Sequence, residues 1–306
     1  MSNMFNNNET IRKLINETKK MPLRQIVEEK QAIINSCPYY KNKLNKVKPE
    51  QTIYRIECFD CFLDNVKNNQ LYFAWPGKWK DKGGDIFDGA FVRIPIYFRK
   101  GNILANHAYR QDYFCQCWSC KESETMWKQY SKKPDENVMI VSTVDKVMKQ
   151  IWTDESCGKY VGMVKYRPVE NIRKENFFQS EFNASCNIFN EIGMAQTFLF
   201  KPDNLSYERE VRFIARMKAE QEQQKERDSI LVNILSKPHD FIDKILIDPR
   251  ASRTFEIKAR NALSQYCTTV ERSSRSQKAI EEADISMFYK ANENNYGLPE
   301  KYSFTE

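Results

Sequence analysis

Apolar residues recur along this chain in two patterns, the alternation typical of strands and the spacing typical of helices. Alternating or continuous apolar runs predict strands at residues 53–56, 70–75, 91–98, 113–120, 138–143, 160–168, 206–217 and 241–249. Helical spacing predicts helices over residues 9–35, 59–66, 122–132, 144–152 and 252–266. Ser123 is the predicted N-cap of the third helix. Because these elements mix without a regular β–α–β order, the pattern predicts an α+β fold.

The predicted elements divide the chain into three parts. Helical spacing near the start, followed by the basic linker KNKLNKVKPEQ, predicts an N-terminal helical extension over residues 1–50. The mixed strands and helices predict one domain over residues 51–270. The polar residues 271–306 are expected to form a C-terminal tail or helix. A chain of 306 residues is long enough to give that middle domain a substantial core.

Charge and hydropathy limit the partners and the compartment. The formal net charge of +7 permits an anionic partner such as RNA or a dinucleotide, and a bias toward solubility explains it equally well. No apolar run has the length of a membrane span, and the polar start lacks the apolar core of a signal peptide. We therefore expect a cytoplasmic protein with no membrane partner.

The nine cysteines and two histidines limit the kinds of metal site that the chain can form. An odd number of irregularly spaced cysteines, without a secretion signal, indicates reduced thiols that mostly pack as small apolar groups. The pairs CFDC (58–61) and CWSC (117–120) leave a structural zinc site open as an alternative. Since His107 and His239 are the two histidines, a histidine relay or a His-rich metal site is disfavoured.

The segment SYEREVRF (206–213) carries the most distinctive charge pattern. Strand alternation places Glu208, Glu210 and Arg212 on one face. In one interpretation the strand is half exposed and its charges pair with their neighbours. In the other, the two carboxylates stabilise positive charge on a sugar ring and handle the proton of a nucleophile.

Two further segments carry candidate ligand contacts. Arg55 lies between Tyr54 and Ile56 in a predicted strand, where its guanidinium either reaches solvent at an edge or faces inward to bind an anion. Helical spacing in MWKQY (126–130) places Trp127 and Tyr130 on one face. For both segments the residues alone favour a structural role, and a ligand contact is the alternative.

Seven short motifs occur in a fixed order along the chain: IYR (53–55), LYFAWP (71–76), CWS (117–119), MWKQY (126–130), VKY (164–166), YEREVR (207–212) and KILID (244–248). This ordered set resembles a widespread bacterial family catalogued as a domain of unknown function, over roughly residues 50–265. That family is more distantly similar to the ADP-ribosyltransferase superfamily, in its arginine–serine–glutamate branch. The resemblance implies a split mixed β-sheet core with flanking helices, and a catalytic domain over residues 51–270.

The resemblance also implies roles for individual residues. Arg55 would anchor NAD with Tyr54 beside it in the cofactor site, and Ser119 would steady the nicotinamide ribose. Glu210 would be the catalytic glutamate, bonding the ribose 2′-hydroxyl and stabilising the oxocarbenium-like state. Glu208 would position or activate the acceptor.

Position alone suggests that Tyr130 or Trp127 stacks against nicotinamide.

The function that this resemblance implies is NAD-dependent mono-ADP-ribosylation of a macromolecule, in a toxin or an antiphage effector, with NAD as co-substrate and no metal. The net charge and the basic stretches KNKLNKVK (41–48) and RKGN (99–102) favour RNA or DNA slightly over protein as the acceptor. An antitoxin or regulator is a further expected partner. The alternative is a non-catalytic module of the same fold that binds a nucleic acid or a protein partner.

Overall fold

The computed structural model describes residues 39–77, 79, 96–98, 102–105, 112–168, 170, 191–217, 227–234, 240–267 and 269–274. The strands are β1 Lys43–Leu44, β2 Thr52–Cys58, β3 Gln70–Ala74, β4 Ile96–Phe98, β5 Asn102–Ala105, β6 Tyr113–Ser119, β7 Asn137–Thr143, β8 Cys157–Met163, β9 Lys165–Arg167, β10 Phe200–Pro202, β11 Glu210–Met217, β12 Ser229–Asn233, β13 Lys244–Ile247 and β14 Val270–Arg272. The α-helices are α1 Phe59–Lys67, α2 Glu124–Tyr130, α3 Val144–Trp152, α4 Glu191–Gln196 and α5 Arg253–Leu263, and 3₁₀ turns span Tyr40–Asn42, Pro134–Glu136 and Asp203–Glu208.

One large mixed sheet organises these elements. Its strands run in the order β1-β8-β11-β6-β2-β7-β13-β14, and β3 joins β6 and carries β12 on its other side. The pairs β1–β8 and β13–β14 are parallel, whereas β11 runs antiparallel to both β6 and β8. The predicted α+β class, with a mixed sheet and flanking helices, is confirmed.

Strand β11 separates two apolar clusters. Val211, Phe213 and Ala215 belong to the larger cluster, which also buries apolar residues of α1, α3 and α5. The intervening Ile214 belongs to a second cluster with residues of α4 and the segment that follows it. Because successive strand residues point to opposite faces, Glu210 and Arg212 lie on the same face as Ile214. Two charged side chains therefore belong to the side of the sheet that carries the smaller core.

Side-chain caps fix three helix starts. The predicted cap Ser123 accepts a hydrogen bond from the backbone N–H of Met126, and Thr143 and Ser252 cap α3 and α5 in the same way. Each cap satisfies a backbone donor that the first turn leaves without a partner. Helix α2 thereby begins where its sequence predicts, directly after β6 and a short turn.

The segment predicted as a basic linker is in fact part of the folded domain. Tyr39 is buried and its hydroxyl hydrogen-bonds Asp145, and β1 pairs with β8. Leu44 is buried in the second cluster and Val47 in the first, whereas Lys41 and Lys46 are exposed. The predicted helix over 9–35 and the tail beyond residue 274 lie outside the described residues.

The predicted strand across residues 206–213 is wrong in its first half. Residues Asp203–Glu208 form a 3₁₀ turn, and Arg209 adopts the left-handed conformation with φ 44° and ψ 53° before β11 starts. Such a conformation costs a non-glycine residue roughly 1–2 kcal/mol. It is held here because the carbonyl of Arg209 accepts a hydrogen bond from the N–H of Cys120, while its own N–H donates to the carbonyl of Ser206.

Within the described residues, no helix is both long and apolar enough to cross a bilayer.

Candidate active site

A cavity of about 730 Å³ opens beside the ends of β2, β6 and β11. Cavities of this size hold small molecules in many proteins. Six of the seven predicted site residues line it: Tyr54, Arg55, Ser119, Tyr130, Glu208 and Glu210. These residues come from separate segments of the chain. The fold brings them to one cavity although they are spread over more than 150 positions of the sequence.

Strand register explains why three of these residues meet. Glu210 of β11 pairs with Ser119 of β6, and Ser119 pairs in turn with Tyr54 of β2. The three residues therefore form one row across neighbouring strands, a few ångströms apart. Arg55 follows Tyr54 directly and extends that row along β2.

Glu210 is a buried carboxylate held by two cations. Arg212 donates through Nε to Oε1 at 2.5 Å and through Nη2 to Oε2 at 3.1 Å, and Lys201 Nζ reaches Oε2 at 3.1 Å. Burial opposes ionisation of this group, but the charges of Arg212 and Lys201 outweigh it and lower the pKa of Glu210 to about 2. Glu210 is therefore an anion throughout the physiological pH range.

One acceptor position of Glu210 has only a weak donor. A carboxylate offers about four lone-pair positions, of which Arg212 takes two and Lys201 one. The thiol of Cys117 donates the remaining hydrogen bond. A thiol is a poor donor, so a hydroxyl entering the cavity can replace it.

Glu208 shares the same lysine. Lys201 Nζ lies 2.6 Å from Oε2 of Glu208, and the hydroxyl of Tyr130 donates to Oε1 at 2.5 Å. Burial and the neighbouring negative charge of Glu208 raise the pKa of Tyr130 well above its usual range, so the phenol keeps its proton. A single ammonium group thus holds two carboxylates together on one wall of the cavity and relieves their mutual repulsion.

Ser119 acts on the backbone of the turn that carries Glu208. Its Oγ lies 2.6 Å from the carbonyl oxygen of Glu208 and 2.9 Å from that of Lys121, and it accepts a hydrogen bond from the N–H of Lys121. A hydroxyl has a single proton, so it donates to one of the two carbonyls at a time. From the other side, the hydroxyl of Tyr166 accepts the N–H of Glu210 at 2.8 Å.

Protein groups engage only part of the guanidinium of Arg55, which lines the cavity. Its Nε pairs with Glu57, and its Nη1 donates to the carbonyl of Cys117 at 2.8 Å. No protein group among the described residues accepts from Nη2. A guanidinium anchored on one edge and open on the other suits a phosphate oxygen.

Trp127, the seventh predicted site residue, lies away from the cavity lining. It is buried with Met126, Met139 and Leu246, and its Nε1 donates to Glu122. On helix α2 it points into the core because the neighbouring strands β7 and β13 present apolar side chains to that face. We assign it a packing role.

Sequence reasoning missed three contributors, Lys201, Tyr166 and Trp79, whereas Arg212 was already a candidate partner of the two carboxylates. The centroid of the Trp79 ring lies 5.0 Å from the guanidinium carbon of Arg212, and the indole lines the cavity. The one usable signal was a lone lysine in the apolar run FLFKP (198–202). A charged residue in such a run needs a buried partner.

The structure offers no support for the zinc alternative within the part of the chain it describes. No group of three or more His, Cys, Asp or Glu side chains there is arranged to hold a metal ion. Cys58 and Cys61 lie at the start of α1, exposed, whereas Cys117 and Cys120 lie at the end of β6 and are partly buried. Buried Cys115, Cys157 and Cys267 pack as small apolar groups.

No protein-family model and no curated protein matches this sequence. Among solved structures, the chain is similar to DarT from Thermus sp. 2.9 in complex with carba-NAD⁺ (13% identity, TM-score 0.30), with NAD⁺ (12%, 0.33) and with ADP-ribosylated ssDNA (13%, 0.33). Each match covers 74% of this chain and 96% or 97% of the DarT chain. Scores this low establish no shared activity, so any functional assignment rests on the cavity and its residues.

Proposed function

We propose that the protein is an NAD-dependent mono-ADP-ribosyltransferase that modifies a macromolecule and acts as a toxin or an antiphage effector. One observation carries the proposal: an arginine, a serine and two carboxylates from separate segments line a single cavity of about 730 Å³. The motif order described above supports the same assignment. Cleaving the bond between nicotinamide and ribose needs no metal and no histidine.

The cavity offers separate contacts for the parts of a dinucleotide. The open edge of Arg55 suits the pyrophosphate. Trp79 and Tyr130 are the aromatic rings among the lining residues near the two carboxylates and can stack on nicotinamide. In this arrangement NAD binds folded, with its reacting ribose beside Glu210, and binding energy from the remote contacts holds it there.

In the proposed reaction Glu210 acts on the ribose. A ribose hydroxyl displaces the thiol of Cys117 and donates to the carboxylate. Positive charge grows on the ribose ring as nicotinamide leaves, and the buried, anionic Glu210 stabilises it. Arg212 and Lys201 hold the carboxylate in one orientation, so little reorganisation accompanies the step.

Glu208 and Tyr130 act on the acceptor in this proposal. The acceptor nucleophile loses a proton as it bonds to the ribose carbon, and Glu208 is the second carboxylate within the cavity that can take it. Tyr130 holds Oε1 of Glu208 from the side of the cavity that α2 forms.

Nucleic acid is the proposed acceptor class. Lys132, Gln129 and Asn204 line the cavity beyond Tyr130, which places a cation and two amides where an acceptor approaches. A cation there attracts a phosphate backbone, and amides hydrogen-bond base edges. The net charge of +7 acts in the same direction.

The test is nicotinamide release by the purified full-length chain. We expect release from NAD in the presence of single-stranded DNA or RNA, with the ADP-ribose label transferred to the nucleic acid. A label found only on protein from a cell extract would replace nucleic acid with protein as the acceptor. Folded wild-type protein that releases no nicotinamide with DNA, RNA or cell extract would end the transferase proposal.

A non-catalytic binding module is the second candidate, and one observation favours it. Arg212 engages both oxygens of Glu210 from the same strand, as in a structural ion pair. In that case NAD would neither bind nor turn over, and the chain would retain a nucleic acid or a protein partner. Calorimetric titration with NAD separates the candidates, because a module of this kind shows no heat of binding.

A further inference from the structure

Two Cys-x-x-Cys pairs with identical spacing lie on different kinds of backbone. Cys58 is the N-cap of α1 and Cys61 belongs to its first turn. Cys117 lies within β6, and Cys120 follows the last residue of that strand. The chain therefore contains a dithiol in a helical turn and, for comparison, the same sequence spacing in an extended segment.

The helical pair has the separation that a disulfide requires. Helix geometry places Cα atoms three residues apart at about 5 Å, within the window of about 4.4–6.8 Å between the Cα atoms of bonded cysteines. In a strand, three residues advance about 10 Å, which exceeds the limit of about 7 Å. The side chains of the extended pair also point in different directions. Cys120 Sγ lies 3.7 Å from Met163 Sδ, whereas the thiol of Cys117 contacts the carboxylate of Glu210.

The two helical thiols are neighbours at the start of α1 and are open to solvent. The proximity of the Cys58 thiol, followed by partial burial, raises the pKa of Cys61 to about 11. Cys61 therefore keeps its proton, and Cys58 is the thiol that reacts first.

We propose that Cys58 and Cys61 form a reversible dithiol–disulfide pair that exchanges with small-molecule or protein disulfides. The thiolate of Cys58 attacks one sulfur of the oxidant disulfide, forms a mixed disulfide and expels the first thiolate. Cys61 then loses its proton to solvent, attacks the sulfur of Cys58 and expels the second thiolate. The protein gives up two protons and two electrons, and the oxidant disulfide becomes two thiols.

The location of the pair is independent of the proposed transferase chemistry. Cys58 and Cys61 lie outside the cavity lining, at the end of β2 and in the first turn of α1. Activity toward NAD is therefore not needed to test it, and its failure would leave the proposed function unchanged.

The experiment uses the reduced full-length chain in buffers with increasing ratios of oxidised to reduced glutathione. After acid quenching and alkylation, tryptic cleavage places both helical cysteines in the peptide spanning residues 56–67 and the extended pair in the peptide spanning residues 111–121. We expect the first peptide to lose two hydrogens and both alkyl groups as the ratio rises, and to recover them when reduced glutathione is added.

Single cysteine-to-serine variants identify which cysteines form the disulfide. In Cys58→Ser and in Cys61→Ser the remaining thiol should stay alkylatable or carry one glutathione, while Cys117→Ser should leave the 56–67 disulfide unchanged. Peptide 56–67 that stays fully alkylated at every ratio would overturn the proposal. So would a persistent mixed disulfide on the wild-type pair, which would show that Cys61 cannot reach Cys58. Stoichiometric zinc on the reduced pair, with no exchange, would overturn it as well.

Discussion

Two buried glutamates in this protein have nearly the same electrostatics and very different surroundings. Glu210 pairs with Arg212 and Lys201, and Glu256 pairs with Arg253, Arg260 and Arg272. Each has a pKa lowered to about 2. For Glu256 the hydrogen bonds from Arg272 and Arg260 come first among the causes, and for Glu210 the cations act against a strong opposing effect of burial.

The difference lies in what the partners do beyond the carboxylate. Arg272 also donates to the carbonyls of Pro249 and Ala251, and Arg260 donates to the carbonyl of Val270. The Glu256 cluster therefore ties α5 to β14 and to the turn after β13. Lys201, the partner of Glu210, binds a second carboxylate, that of Glu208, and both acids line a cavity.

A lowered pKa alone therefore does not locate an active site in this protein. An acid surrounded by three guanidiniums, two of which also bind backbone carbonyls, stabilises the fold. Two acids that share one ammonium beside a cavity have capacity left for a ligand. This contrast makes Glu256 a matched control for Glu210, since both are buried and both are bonded to arginine.

The largest expected effect is on turnover in Glu210→Gln. Because the amide cannot stabilise positive charge on the ribose, nicotinamide release per folded molecule should fall by about 10²–10³. Stability should fall too, since the substitution leaves Arg212, only 1% exposed, without its carboxylate. Turnover is measured at a temperature where circular dichroism shows both proteins fully folded. A variant that retains wild-type turnover would show that Glu210, like Glu256, only stabilises the fold.

Glu256→Gln is expected to show the reverse pattern. Removing a buried partner of several cations costs about 3 kcal/mol. For a domain of this size that corresponds to a fall in melting temperature of about 10 °C. Turnover per folded molecule should match the wild type, because the Glu256 cluster lies outside the cavity lining. Calorimetry gives the melting temperature, and loss of turnover in the folded variant would contradict the contrast between the two clusters.

Lys201→Met should lower turnover about tenfold, the equivalent of one charge-assisted hydrogen bond. The variant also has a distinctive pH dependence. Lys201 lowers the pKa of Glu210, so its removal raises that pKa and the carboxylate protonates at a higher pH. Turnover requires the anion, and its acidic limb should therefore move toward neutral pH. A uniform loss at all pH values would indicate that Lys201 only supports the fold.

Sequence reasoning predicted most of the central strands, the Ser123 cap and the cavity residues that sit in motifs, because alternation and capping are local properties. It failed at Arg209, whose left-handed conformation depends on a hydrogen bond from Cys120, far away in the chain. Lys201 was missed for the same reason, since its partners become neighbours only when β10 and the turn after it fold against β11. Trp127 was assigned to the wrong side of α2 because helical spacing does not say which face the sheet covers.

The smallest expected effect distinguishes two tyrosines whose hydroxyls donate to residues of the cavity lining. Tyr130 donates to Glu208, and Tyr207 donates to Gln129 at 2.7 Å. Tyr130→Phe removes a hydrogen bond to a carboxylate that Lys201 still holds, so turnover should fall about fivefold, equivalent to about 1 kcal/mol.

Tyr207→Phe is the matched control, since it deletes the same atom from an exposed ring that contacts no carboxylate, and its turnover should remain at the wild-type level. Steady-state nicotinamide release at a fixed acceptor concentration measures both variants. Equal losses would mean that the phenols act only on acceptor binding. If both variants keep wild-type turnover, Lys201 alone positions Glu208. The ammonium group of Lys201 would then be sufficient to hold the two carboxylates together at this wall of the cavity.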